Sequence, residues 1–276
     1  ALEAYGLQVT FRYAEETCAL VDDVRRIVDE QLHTPLVIAF SWQTVTHIPE
    51  ACTYEGAMQE ISAAGAFLVV YNTEPKKSKF SLAVPTAQHL GAKEVWSHAA
   101  SIMSYWHNSG NVTSRYMPPG CATALKLDVR RDSPYRDESK IGFLGNWFER
   151  KRTRGDYVAS LTPSAIHVEE HAYGPVALKA YLERYPLQLN FRARWNDAHA
   201  LESPRAAMLL TNGACMLSAR VHALDEEVFN GTMYFLEPAE MAVVFKSLQR
   251  NKRAIRDCQE RSQQQYCSRF DPAELL

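Results

Sequence analysis

Apolar runs of strand length alternate with segments of helical period along nearly the whole chain. LQVTFRY (7–13) is followed by a stretch, 15–31, in which Cys18, Val21, Val24 and Val28 recur at the spacing of one buried helix face. PLVIAFS (35–41) precedes TYEGAMQEISAAG (53–65), and AFLVVYN (66–72) precedes SLAVPTAQHLG (81–91). KEVWS (93–97) then precedes HAASIMSYWHNSG (98–110), and TSRYMPP (113–119) closes the run. Gly or Asn stops several of the helical segments, where a left-handed residue ends a helix without steric cost. Strands alternating with helices in this way predict a parallel, doubly wound sheet.

The pattern breaks at LKLDVRRDSPYRDESK (125–140), which is charged and lacks apolar periodicity, so it reads as an interdomain linker or a long loop. A second series starts with IGFLGN (141–146) and a helix around FERKRTRGDYVASL (148–161). AIHVEEH (165–171) and the helix PVALKAYLERY (175–185) come next, then the strand LQLNF (187–191) and the loop 192–203. The helix PRAAMLLTNG (204–213), the strand ACMLS (214–218), the connector 219–231, the strand TMYFL (232–236) and a helix opening EPAEM complete it. The remainder, 242–270, is helical and increasingly polar, and is expected to pack across both domains or lie on the surface. The expected fold class is therefore α/β, with two Rossmann-like domains facing a cleft. An N-terminal domain covers 1–124, a C-terminal domain 125–254, and a helical tail 255–276 crosses back.

Composition narrows the class. The chain has 276 residues, 46% hydrophobic and 22% charged, which is enough for two real cores and too apolar for a disordered protein. A net charge of −2 gives no general attraction to nucleic acid or to an anionic membrane, and no apolar run is long enough to span a bilayer. No secretory signal is visible in the sequence as it begins. The six cysteines, at 18, 52, 121, 215, 258 and 267, form no CxxC pair and sit in helical or strand patterns, so reduced, buried thiols and a cytoplasmic setting are expected. Two sequons, at Asn111 and Asn230, read as ordinary turn sequence in that setting.

Chemistry is expected at the carboxyl ends of the strands, where open α/β sheets bind ligands. Ser203-Pro204-Arg205 opens a helix: Ser203 suits the N-cap, Pro204 the first turn, and Arg205 adds a forked cation beside free backbone N–H groups. A diphosphate fits such a helix end without a metal, although a surface Arg on a well-capped helix has the same sequence. Gly145-Asn146 ends another strand and is followed by Arg150 and Arg152, a second cationic approach that also reads as a solvated helix face. In the first half, Tyr71-Asn72-Thr73-Glu74 ends a strand, and Glu74 is placed either to orient or deprotonate a hydroxyl or to cap a turn before Pro75. Ser41-Trp42-Gln43 and His47 follow another strand. His167-Val168-Glu169-Glu170-His171 matches an HxxEH zinc motif, but Pro163 and Pro175 bracket it and its first residues read as a strand. There is no GxGxxG, no P-loop, no GxSxG and no DxD triplet of the kind that holds a divalent cation at a diphosphate.

With these residues in view, the chain resembles the GT-B glycosyltransferases, in particular compact members from viral and bacterial glycan-assembly systems. IGFLGNWFERKR is similar to their strand–Gly–basic loop. The 189–220 segment is similar to their unit of Asn after a strand (here Asn190), polar loop, Arg, Gly and Ser, and 225–248 to their closing acidic–Phe–Gly–strand–helix unit. FLVVYNTEP and 89–120 resemble the corresponding parts of the first domain. The resemblance implies transfer of a sugar from a nucleoside diphosphate donor, UDP- or GDP-linked, to a hydroxyl acceptor such as a glycan, with no metal and no further cofactor. It implies donor contacts at Gly145, Asn146, Arg150, Arg152, Asn190, Ser203 and Arg205, and a base from Glu74 or His47. Nucleic acid is not the expected acceptor. One departure is clear: many retaining members carry a Glu five residues before the helix-terminal Gly to hold the ribose, and this chain has Met208. An epimerase of the same fold and a non-catalytic nucleotide-sugar-binding module are the alternatives.

Overall fold

The structure is a computed structural model and describes residues 17–30, 34–40, 53–73, 84–107, 112–145, 160–161, 165–172, 174–191 and 199–275. The chain divides into two compact units, 2–117 and 118–276.

In the first unit, strands β1 (Leu36–Phe40), β2 (Phe67–Asn72), β3 (Glu94–Ser97) and β4 (Thr113–Tyr116) form one parallel sheet in sequential order. The helices α1 (Thr17–Asp29), α2 (Tyr54–Ala63), α3 (Val84–His89) and α4 (Met103–His107) alternate with them. Right-handed crossovers in a sheet of this order carry the connecting helices over one face. Val21 and Val24, from the helical stripe read in the sequence, are buried, as are Leu68, Val69 and Val70 of β2. α2 starts at Thr53, whose side chain accepts from Gly56 N at 3.1 Å, and Arg25 of α1 reaches Glu60 of α2 at 2.8 Å.

The second unit holds a five-stranded parallel sheet in the order β6-β5-β7-β8-β9. These strands are β5 (Ile141–Leu144), β6 (Ile166–Glu169), β7 (Leu187–Asn190), β8 (Cys215–Ala219) and β9 (Tyr234–Leu236). The chain steps outward from β5 to β6, returns past β5 to β7, and then runs outward in the other direction. The order therefore reverses between β5 and β7, and the connections leaving these two strands separate to opposite faces there. The helices are α5 (Pro175–Arg184), α6 (Ser203–Thr211), α7 (Ala223–Val228), α8 (Pro238–Gln249), α9 (Lys252–Arg269) and α10 (Pro272–Leu275). Both faces are packed: Leu144, Leu209, Met216, Phe229 and Tyr266 belong to one core cluster, and Phe143, Leu187, Leu189, Leu217, Met241 and Ile255 to the other. Strands buried on both faces read as near-continuous apolar runs, which is how IGFL and ACMLS appear.

α9 docks one face on the second unit, where Ile255, Cys258, Gln259, Ser262 and Tyr266 are buried with α6 and β8 as partners, and leaves the opposite face exposed. One expectation is corrected. The cysteines are not free thiols: Cys121 is bonded to Cys267 and Cys215 to Cys258, Cys18 is also disulfide-bonded, and no cysteine among the described residues is free. The pairing was invisible because its partners lie 146 and 43 residues apart and meet only when α9 docks.

The charged segment 125–140 is a long loop of the second unit, held down by a polar network. Arg136 donates to Glu138 at 2.7 Å and to Gln259 of α9 at 2.9 Å, and Arg131 donates to Glu260 and Gln263. Asn212, at the end of α6, accepts from Leu127 N at 2.7 Å and donates to Leu125 O at 3.1 Å. Its missing apolar period reflects a loop whose partners are side chains of α6 and α9.

Candidate functional site

β7 carries the most informative side chains. Leu187, Leu189 and Phe191 alternate into one core cluster, which leaves Gln188 and Asn190 on the other face, both buried. Gln188 is satisfied: its Oε1 accepts from the Tyr181 hydroxyl at 2.9 Å and its Nε2 donates to Tyr185 O at 2.6 Å. Burial pushes the Tyr181 phenol above its ordinary range, so it stays a neutral donor. Asn190, one step nearer the carboxyl edge, differs. Its Nδ2 donates to Ser218 Oγ of β8 at 3.2 Å, but its Oδ1 is buried and has no partner among the described residues. A buried acceptor left without a donor costs about 1–3 kcal/mol, so one at a strand end beside the sheet's reversal point indicates a place for a ligand's donor.

Arg205 lies in the first turn of α6. Its side chain is only 14% exposed, it is ion-paired to Glu202, and its Cζ stands 5.3 Å from the centre of the Phe143 ring on β5. Nη1 of Arg205 is also buried without a hydrogen-bond partner among the described residues. The helix start is set by the loop before it. His199 adopts φ 54°, a left-handed conformation that His tolerates better than most side chains, and its carbonyl accepts from His222 N at 2.8 Å. Leu201 N donates to the buried carboxylate of Asp225 at 3.0 Å, and Ser203 N donates to Leu201 O at 2.9 Å. This corrects one detail: Glu202, not Ser203, is the N-cap, with no side-chain cap bond, and Ser203 is the buried first residue of the helix. Glu202 was missed as part of the site, although an acid three residues before an Arg at a helix entry is a readable pairing signal.

Gly145 follows β5 with φ 126°, a conformation open to glycine and strained for other residues, and its N–H donates to Glu169 O at 2.8 Å. Gly145, Asn190 and Arg205 are thus brought to the carboxyl edge around β5 and β7. Asn146, Arg150 and Arg152 lie outside the described residues, as do Glu74 and His47. The HxxEH segment does not form the helix that a zinc motif needs. Residues 166–169 are strand β6, and the His167 ring stacks on Tyr185 with centroids 4.1 Å apart. Burial lowers the His167 pKa, which favours the neutral ring in that stack.

In the first unit the carboxyl ends of β2 and β3 carry a buried polar group that the sequence reading passed over. Asn72 and Ser97 end the two strands, and His98 follows directly; all three are buried. His98 Nδ1 lies 2.9 Å from Asn72 O. A carbonyl can only accept, so this bond fixes the proton on Nδ1 and leaves Nε2 as the basic nitrogen of the neutral ring. The readable signal was a histidine immediately after an apolar strand (VWSH) in an α/β unit. The Tyr71 hydroxyl is turned to Met117 O at 2.9 Å, and burial raises its pKa.

No protein-family model matches the chain, and no curated protein is significantly similar to it in sequence. Solved structures are. Anabaena Alr3699/HepE, in complex with UDP and glucose, superposes with a TM-score of 0.59 at 13% identity, over 97% of this chain and 82% of that one. The Glycosylation Associate Protein (Gap123) complex from Streptococcus agalactiae matches with a TM-score of 0.52 at 10% identity over 91% of this chain, which spans only 56% of that one. T4 phage BGT, in complex with its UDP-glucose substrate, matches with a TM-score of 0.50 at 10% identity, over 88% and 80% of the two chains. These likenesses establish the GT-B glycosyltransferase fold for this chain.

Proposed function

We propose that the protein transfers a sugar from a nucleoside diphosphate-sugar to a hydroxyl acceptor, a glycan being the expected class, without a metal ion. The observation that carries this reading is the pair of buried polar atoms without partners, Arg205 Nη1 and Asn190 Oδ1, at the sheet edge where the strand order reverses. One is a cationic donor suited to a phosphate oxygen, and the other is an acceptor suited to a hydroxyl. A nucleoside diphosphate-sugar offers both. The UDP and UDP-glucose held by structures of the same fold support the choice of ligand class.

In the reaction the bond between the anomeric carbon and the β-phosphate oxygen breaks, and one forms to the acceptor oxygen. Negative charge grows on the diphosphate. Arg205, the amino end of α6 at Ser203 and, on this reading, Arg150 or Arg152 and the backbone at Gly145-Asn146 stabilise it, so no metal is required. Asn190 Oδ1 takes a ribose or sugar hydroxyl, a role left open by Met208. If the reaction inverts configuration, a base takes the acceptor's proton, for which Glu74 stands first and His47 second; if it retains configuration, Glu74 positions a substrate.

The test is turnover of a panel of UDP- and GDP-sugars with and without acceptors in the presence of EDTA. Release of nucleoside diphosphate matched by glycosylated acceptor supports transfer. Consumption of donor with no acceptor present identifies an epimerase instead, and binding with no turnover identifies a binding module.

A further inference from the structure

The disulfides and one surface turn together bear on where the chain matures. Every described cysteine is paired, and the two bonds with both partners described tie α9 to β8 and to the segment that opens the second unit. Such bonds form and persist in oxidising compartments and are rare under cytosolic thiol buffering. The compartment that forms them in eukaryotic cells is also the one in which Asn-x-Thr sequons are glycosylated.

Asn230-Gly231-Thr232 meets the structural demands of such a site. Asn230 is exposed, in the turn between α7 and β9. The turn is fixed from behind: Arg269 of α9 donates to Val228 O at 2.6 Å and to Asn230 O at 2.9 Å, while the Thr232 hydroxyl is buried on Phe229 O at 2.7 Å. Gly231 has φ 82°, and a Cβ there would run into Gln265 of α9, so the middle residue of the sequon is small for a reason internal to the fold. The backbone is therefore held inward and the Asn230 side chain is left outward. The turn also precedes β9, which places it at the amino edge of the parallel sheet. A bulky glycan there stays clear of the carboxyl edge that carries Arg205 and Asn190.

We propose that Asn230 is an N-glycosylation site, occupied while the chain folds in an oxidising secretory compartment. In the transfer, Asn230 Nδ2 attacks C1 of a lipid-diphosphate-linked oligosaccharide. The N–C1 bond forms, the C1–O bond to phosphate breaks, the amide gives up one proton to the transferring enzyme, and the lipid diphosphate leaves. This replaces the cytoplasmic expectation, which rested on free thiols.

The experiment takes the protein from its own source, alkylates it without reductant under denaturing conditions and digests it with trypsin. Cleavage after Arg220 and Lys246 isolates residues 221–246, which contain Asn230 and no cysteine. The expected result is no thiol alkylation, and a 221–246 peptide that reaches its simple mass only after peptide N-glycosidase, with the asparagine converted to a carboxylate. A peptide recovered mainly with its free amide overturns the site, and alkylated cysteines overturn the compartment. In the same host, Asn230→Gln should lose one glycan's mass while Thr232→Ser, which keeps the hydroxyl, retains it. An unchanged mass for Asn230→Gln would also refute the assignment.

Discussion

Gln188 and Asn190 stand on the same face of the same strand, equally buried, and only the inner one has all its partners. In the proposed function that contrast separates a structural amide from one that takes a ligand. Asn190→Asp would set a carboxylate near a diphosphate site and should weaken donor binding more than Asn190→Ala, which merely removes the acceptor; equal values in a calorimetric titration would argue against a ligand role. Arg205→Ala should cost on the order of 3 kcal/mol of barrier, roughly a hundredfold in transfer rate. It should also lower stability, because the ion pair with Glu202 and the contact with the Phe143 ring are both lost. Arg205→Lys separates the effects, keeping the charge and losing the fork. Glu183 gives a pH test. Hydrogen bonds from Lys179 first, then from Arg130, hold its carboxyl down at about 2, so its contribution is fully present above the ordinary carboxylate range and is lost as pH falls through about 2. Glu183→Gln should therefore be less stable at neutral pH and show a flatter loss of stability between about pH 4 and pH 2 in urea titrations than the native chain.

At the scale of elements, periodicity made the α1 stripe, the buried strands and the helix 204–213 legible, and glycine marked its end: Gly213, at φ 73°, follows α6. Less legible were elements fixed by distant partners. α7 is hidden in the connector 219–231 because a six-residue helix shows too little period, and its start is capped by His222, an uncommon cap. α9 reads as polar because its buried face carries Cys258, Gln259 and Ser262, polar types that are satisfied by β8, Gly213 O and one another. Two disulfides add to its packing, each typically contributing about 2–4 kcal/mol. Reduction should lower the melting temperature by several degrees and raise amide exchange in α9 and the 125–140 loop before the β7–β8 core. Uniform protection after reduction would contradict that order.

For the whole molecule, the two parallel sheets were within reach of the alternating pattern, since each β-α step is local, whereas the reversal in the second was not, because a right-handed crossover leaves open on which side the next strand adds. The site was legible as a region, because strand ends and a helix start can be located from sequence. It was not legible as a set of contacts. Pairing of Arg205 with Glu202, the stack on Phe143 and the lone acceptor of Asn190 depend on three-dimensional neighbours. In the proposed function this edge holds a nucleoside diphosphate through Arg205 and a helix end, with no divalent ion. Calorimetric titration of UDP and GDP into the native protein and Arg205→Ala, each in EDTA, tests it most directly. Saturable binding of one nucleotide to the native chain is expected, unchanged by EDTA and at least tenfold weaker in the variant, with about 2.7 kcal/mol of added stability at a hundred times the dissociation constant. Binding that disappears with EDTA, or that Arg205→Ala leaves intact, would contradict it.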